Sequence, residues 1–219
     1  MEKRKITFGN YDTAANGWTL TGWKLGSAEQ KTKYIEKPNG DGSWDLSTAL
    51  TDGIPKYKDR ALTVTLEISE GSRMNREAII RQMINQLDGM KENIILPDDE
   101  FHYVTGRIHV VREYNDLAHG AVTVTAICEP WKYASTETVI NLSLAEDKET
   151  IRLFNGGRRA VIPTIEVTGS ALFEFGTASF ALSNDTRQWP ELMLTPGSAE
   201  LTVSGSGSAV ISYREAVLE

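Results

Sequence analysis

The sequence predicts a mainly β protein with one amphipathic helix, organised as two β-sandwich-like domains over residues 1–134 and 135–219. Three observations carry that expectation. Several short stretches place apolar residues at every second position, as a strand with one buried face does. A single stretch, Asn75 to Gly89, spaces its apolar residues for a helix instead. Beyond about residue 135 no helical spacing occurs, and short strand candidates alternate with turn residues.

In Ala61 to Ile68 (ALTVTLEI), Leu62, Val64, Leu66 and Ile68 share one face, while threonines and Glu67 take the other. Val104 to Val111 and Ala121 to Ile127 have the same alternation, and the turn-rich NDLAHG between them predicts an antiparallel hairpin. The helix has Asn75 as its expected N-cap and Gly89 as its C′ stop. Ile79, Ile80, Met83, Ile84 and Leu87 form its apolar face, with Arg76, Glu77, Arg81 and Gln82 on the wet side. That polar side lacks a concentrated basic strip, so the helix is expected to lie on a sheet rather than on a membrane.

Strand candidates in the second half are Thr150 to Phe154, Thr164 to Val167, Leu172 to Ala178, Glu191 to Leu194, Ala199 to Val203 and Ala209 to Tyr213. NGGRR, TGS, SNDTRQWP, TPGS and SGSGS punctuate them. Strands at roughly 8–12-residue intervals with such turns predict a β-sandwich or jelly roll. The composition change near Ala134 sets the expected domain boundary.

The 219 residues are 40% hydrophobic and 24% charged, and the length suits one domain or two of about 100 residues each. A net charge of −7 disfavours nucleic-acid binding by phosphate neutralisation and leaves open a surface past which nucleic acid slides without sticking. Cys128 is the one cysteine, which excludes an intramolecular disulfide, and its strand-like setting AVTVTAIC predicts a buried structural thiol. MEKRKITFGN has no apolar run after its charges, so no signal peptide is expected, and no stretch approaches the ~18 apolar residues of a membrane span. The protein is expected to be made in a cytoplasm and to stay soluble.

The segment from Pro38 to Arg60, PNGDGSWDLSTALTDGIPKYKDR, mixes glycines and acids as calcium and phosphate loops do. An EF-hand register from Asn39 supplies Asp41 and Ser43, but then puts Trp44 where glycine is required and Leu50 at position twelve. No GK[ST] follows, so it is not a phosphate loop either. Gly40 and Gly42 are expected at positive-φ turn positions. The acids of PDDE (Pro97 to Glu100) are expected in a turn rather than as a glycosidase pair. His102, His109 and His119 lack metal-ligand spacing, and GxSxG is absent. No catalytic, metal or cofactor residue is therefore assigned, and no enzyme is expected. Of Trp18, Trp23, Trp44, Trp131 and Trp189, one or two are expected at an interface and the others in the cores.

Read in order, GDGSWDLS, the tyrosine and arginine of YKDR, the helix ending INQLDGMK, IILPDDEFHYVTGRI and CEPWKY resemble the distal tail protein (Dit) family of long, non-contractile-tailed bacteriophages and related prophages. The resemblance covers about residues 35 to 133. In that family a GxDG-L-DLT-like segment, Y-x-x-R, a helix ending L-x-G-K, D-D-x-x-Y-Y-x-G-R and C-x-P-Y-K-Y recur in this order. This chain departs from the pattern in having Trp131 for a tyrosine, Met90 between Gly89 and Lys91, and Phe101-His102-Tyr103 for a double tyrosine. The second half matches in layout: NGG followed by PTIEV, then LTPGSAELTVSGSG and ISYREAVL.

The resemblance implies an N-terminal ring-forming belt domain and a C-terminal galectin-like β-sandwich. It also implies a homo-hexameric ring, a hub at the tail tip of the virion. One face would dock the tail tube protein and the other a tail-associated lysin or fibre protein, with receptor-binding proteins at the periphery and DNA passing through the channel unbound. A carbohydrate-binding role for the C-terminal sandwich in host attachment is the alternative. On this reading the long segment Gln30 to Arg60 is an assembly arm reaching a neighbouring subunit by strand addition. Trp44, Leu46, Leu50 and Tyr57 are expected to be buried within or between subunits, and Arg60 to pair with a carboxylate.

Overall fold

The computed structural model describes residues 4–51 and 53–219; residues 1–3, which begin the MEKRKITFGN stretch, and residue 52 lie outside the described residues. The chain divides into two units, Met1–Lys132 and Tyr133–Glu219. Among the described residues the first unit contains β1 (Thr7–Phe8), β2 (Tyr11–Asp12), β3 (Thr19–Leu25), β4 (Tyr34–Glu36), β5 (Ser43–Asp45), β6 (Arg60–Ile68), α1 (Arg73–Leu87), β7 (Lys91–Leu96), β8 (Asp99–Asn115) and β9 (Gly120–Ala134), whose last two residues belong to the second unit.

Its main sheet runs β2-β1-β7-β8-β9-β6-β3. The alternation of β6 places Leu62, Val64, Leu66 and Ile68 in the core, and the register with β9 sets Val64 against Val124 and Leu66 against Val122. Each such side chain contributes about 1.5–3 kcal/mol by leaving water. β8 and β9 form the expected hairpin. Pro97 and Asp98 turn the chain between β7 and β8, with Leu96 opposite Asp99, so the PDDE acids do belong to a turn and the strand after it. β3 and β7 lack a clean period-two signal, because β3 is an edge strand with a bulge near Thr21 and β7 starts with charged Lys91 and Glu92.

The helix begins earlier than its apolar spacing suggests. Ser72, in extended conformation, accepts a hydrogen bond from the Asn75 backbone N–H at 3.2 Å and is the N-cap in place of Asn75. Asp88 caps the other end, and Gly89 follows at φ +79. Arg76 is also misplaced by its residue type. Residues 76, 80, 83 and 87 make one stripe, so Arg76 lies on the core-facing side with only 2% of its surface exposed. Its guanidinium donates to the Gly71 carbonyl (2.7 Å), the Asp116 carbonyl (2.9 Å) and the Asn115 side chain (3.4 Å).

The second unit contains β10 (Thr138–Leu144), β11 (Glu149–Asn155), β12 (Thr164–Phe175), β13 (Ala178–Ser183), β14 (Thr186–Arg187), β15 (Gly197–Tyr213) and β16 (Ala216–Val217). One sheet runs β10-β15-β12-β13, with β11 added on β15 and β14 on β12. Core residues come from both ends of the long strands: Ile165 and Phe173 from β12, Leu201 and Ile211 from β15. The sheet therefore curls so that its halves share one interior, as in a sandwich.

Two expected turns are strand interior instead. TGS and SGSGS face each other across β12 and β15, with Gly169 opposite Gly207 and Ala171 opposite Gly205. Gly169, Gly205 and Gly207 hold φ of +112, +150 and +100, which lets the paired strands bend without breaking their ladder. Glu191 to Leu194 is not a strand; only Leu194 bridges, to Val161.

Candidate functional site

The largest set of exposed apolar side chains in the first unit lies on the segment between β3 and β6. Its two limbs run antiparallel from the main sheet outward. Gly26 N–H donates to the Ala61 carbonyl and Lys58 N–H to the Glu29 carbonyl, both at 2.8 Å. Gln30 bridges Tyr57, and Lys31 N–H donates to the Lys56 carbonyl. Leu46 N–H then donates to the Lys33 carbonyl, and β4 pairs with β5 to the tip. From Gly26 to Glu36 this is a ribbon with a contour of roughly 35 Å at about 3.3 Å per residue. Its two limbs pair with each other, and in the β4–β5 sheet each strand keeps one open edge.

Turn chemistry steers the arm. Asn39 (φ +57) and Gly42 (φ +75) close the tip, where Lys37 N–H donates to the Gly42 carbonyl at 3.2 Å. Ser47 accepts from Lys33 N–H, and hydrogen bonds to Asp45 from the Ser47 side chain, the Ser47 backbone N–H and, more weakly, Tyr34 hold the Asp45 carboxyl below its ordinary value. The glycines and acids of this segment thus serve turns, and no group of three or more metal-ligating side chains occurs among the described residues.

Every residue from 30 to 46 is exposed. Ile35 stands directly opposite Trp44, and alternation puts Leu46 on the same face. Trp44 is 51% exposed and Leu50, on the turn that follows, 99%. Tyr34 and Ile54 are exposed as well. An isolated two-stranded ribbon is marginal in water, so an apolar face on one calls for a covering surface. Tyr57 and Arg60 sit at the root instead. The Tyr57 ring meets Trp131 edge-on at 5.5 Å. Arg60 is buried at the start of β6, opposite Cys128. Sequence reading missed Tyr34, Ile35 and Ile54, since their placement depends on the ribbon's register.

Other reactive groups are tied down. Burial pushes the Cys128 thiol up to about 12, as an inert structural cysteine requires. His109 is bonded to Asp88 at 2.8 Å and His102 to Asp99 at 2.8 Å. Lys132 also reaches Asp99, at 2.9 Å. Burial pushes the Asp99 carboxyl up, but the His102 and Lys132 bonds outweigh it and the net shift is downward. A lowered folded value means that Asp99 stabilises the fold fully above the unfolded carboxylate value near ~3.9, and that this is lost as pH falls through the folded value. Asp99→Asn should therefore be less stable than wild type at pH 7, with the gap narrowing at pH 3. Urea unfolding at both pH values measures it, and a constant gap would refute this role.

In the second unit a cleft of about 390 Å³ is lined by Tyr133, Glu137, Arg159, Thr164 and Gln188 among others. Arg159 donates to the Tyr133 hydroxyl at 2.6 Å and lies over its ring, so that aromatic face is already covered. Trp189 packs on Phe180 and Phe173, and Trp18 is buried with its indole N–H on the Tyr11 hydroxyl.

No protein-family model matches the sequence, and no curated protein does. Among solved structures, the chain is similar to SPP1 Dit (gp 19.1), described as a paradigm of the hub adsorption apparatus in phages infecting Gram-positive hosts. The superposition has a TM-score of 0.71 at 14% sequence identity, covering 97% of this chain and 98% of that one. With so little identity the likeness resides in the backbone: this mainly β chain, with one helix among its described residues, has the fold of SPP1 Dit.

Proposed function

We propose that the protein is a structural hub component of a phage tail tip, without catalytic activity, whose copies close into a hexameric ring through the arm. The observation that carries this reading is the Ile35, Trp44 and Leu46 stripe, presented on a two-stranded ribbon that stands exposed. Such a face gains by burial, and a neighbouring copy can supply the cover. Contacts of one patch on a different patch close into a ring when the rotation between copies allows. The fold it shares with a hub adsorption protein supports the place in the virion. On this reading the ring joins the tail tube protein to the fibre or lysin and receptor-binding apparatus, and the net charge of −7 keeps passing DNA from adhering.

Wild-type protein is expected to give six-fold rings in negative-stain images. Trp44→Ala with Leu46→Ala should lower the particle mass measured by light scattering toward a single chain. The two truncations remove about 4 kcal/mol or more per interface if both side chains are fully covered. An unchanged mass would sink the arm as the ring-closing element.

A further inference from the structure

A second surface in the first unit has the chemistry of a recognition site and no part in the arm. A cleft of about 420 Å³ lies between the β1–β2 turn, the C-terminal half of α1 and β7. Asn10, Asn16, Gln82, Gln86 and Glu92 supply its polar lining. Gly9 holds φ +57 and donates its N–H to the Asn93 carbonyl at 2.7 Å. A Cβ at Gly9 would stand 2.4 Å from a Glu92 carboxylate oxygen, so that carboxylate packs directly over the glycine. The missing side chain is what makes room for it.

Glu92 is half-buried, yet among the described residues it forms no ion pair and no hydrogen bond through its side chain. Asn10, Gln82 and Gln86 likewise spend no side-chain hydrogen bond on another described residue. Asn16 uses its amide N–H on the Asp12 carbonyl at 2.8 Å, which leaves its oxygen as an acceptor. The Glu92 carboxylate repels phosphates and nucleic acid. Phe8 and Tyr11 line the floor but are buried, so the cleft offers no aromatic platform for a sugar ring. A single carboxylate is too few ligands for a structural cation. A guanidinium matches what remains: its planar fork pairs bidentately with the carboxylate, and its outer N–H groups reach the amide oxygens.

We propose that this cleft receives an arginine side chain from a docking partner protein, with Glu92 as its counter-ion and the amides fixing the fork. This goes beyond the ring reading and does not depend on it, since probe binding is read whatever the oligomeric state. The test is saturation-transfer NMR on the full-length protein with N-acetyl-arginine amide, its neutral isostere N-acetyl-citrulline amide, and methyl glucoside. Transfer is expected to the arginine probe alone, and Glu92→Gln should weaken it about fivefold, as the loss of one partly screened charge pair does. Gln86→Ala, an exposed change, should weaken it less while leaving the fold intact. Equal transfer to citrulline amide, transfer to the glucoside in place of arginine, or an arginine signal unchanged in Glu92→Gln would each overturn the proposal.

Discussion

Gly207→Ala should destabilise the second unit by about 4 kcal/mol, a large share of the roughly 5–15 kcal/mol that holds a typical domain folded. Two costs add. The backbone at φ +100 is one that an L side chain adopts only with strain of about 1–3 kcal/mol. The new Cβ would also stand 2.0 Å from the Thr168 carbonyl oxygen, a backbone atom in the paired strand that cannot rotate away. Relief requires the two strands to separate at the bend, with an overpacking cost of about 1–3 kcal/mol. Gly176→Ala is the control within the same unit: its φ is +58, but nothing lies within 4 Å of the added atom. That change should cost about 1 kcal/mol. Calorimetry on both variants decides the matter, and equal losses would show that the cross-strand approach contributes nothing.

Arg76→Met should cost the first unit about 3 kcal/mol, although a thioether fills much of the same space. The loss comes from what is left behind. The Gly71 and Asp116 carbonyls and the Asn115 amide oxygen would all lose a charged donor in a part-buried setting. Those acceptors tie the start of α1 to the β8–β9 turn, where Asn115 also donates to the Arg73 carbonyl and to Glu77. Arg76→Lys should not restore the stability, because one ammonium cannot reproduce the fork that spans three acceptors. Urea midpoints for both variants test this. A Lys variant as stable as wild type would mean that charge, not geometry, is what the site needs.

These two residues also mark where local sequence reading stops. β6 and the core of β9 were legible because each has one buried face and an unbroken alternation, from Leu62 to Ile68 and from Val122 to Cys128. Gly169 and Gly207 were misleading because glycine beside serine normally ends a strand. What keeps the strand going is that two such runs meet in register, 38 residues apart in the chain (207 − 169), and no window sees both. Arg76 failed for a different reason: residue type pointed it to water, while its position at the end of the 76, 80, 83, 87 stripe pointed it inward. In the arm, Trp44 and Leu50 were recognisable as the residues that spoil a ligand loop. Ile35 became their companion only through the β4–β5 pairing.

The long strand β15 has a further consequence, for the order in which the molecule is made. Residues 197–213 pair with β10, β11 and β12, so three earlier strands share one late partner. A nascent chain that has reached Ser183 holds the β12–β13 hairpin, while β10 and β11 wait with open edges. The core residues Leu201, Val203, Ile211 and Tyr213 have not yet been synthesised at that point. The buried core of the first unit draws on residues from Ile6 to Cys128 and can form by then, although β16 adds to β9 only at the end of synthesis. During translation the second unit is therefore the exposed one, and its unpaired strands are what a chaperone or a premature neighbour would meet.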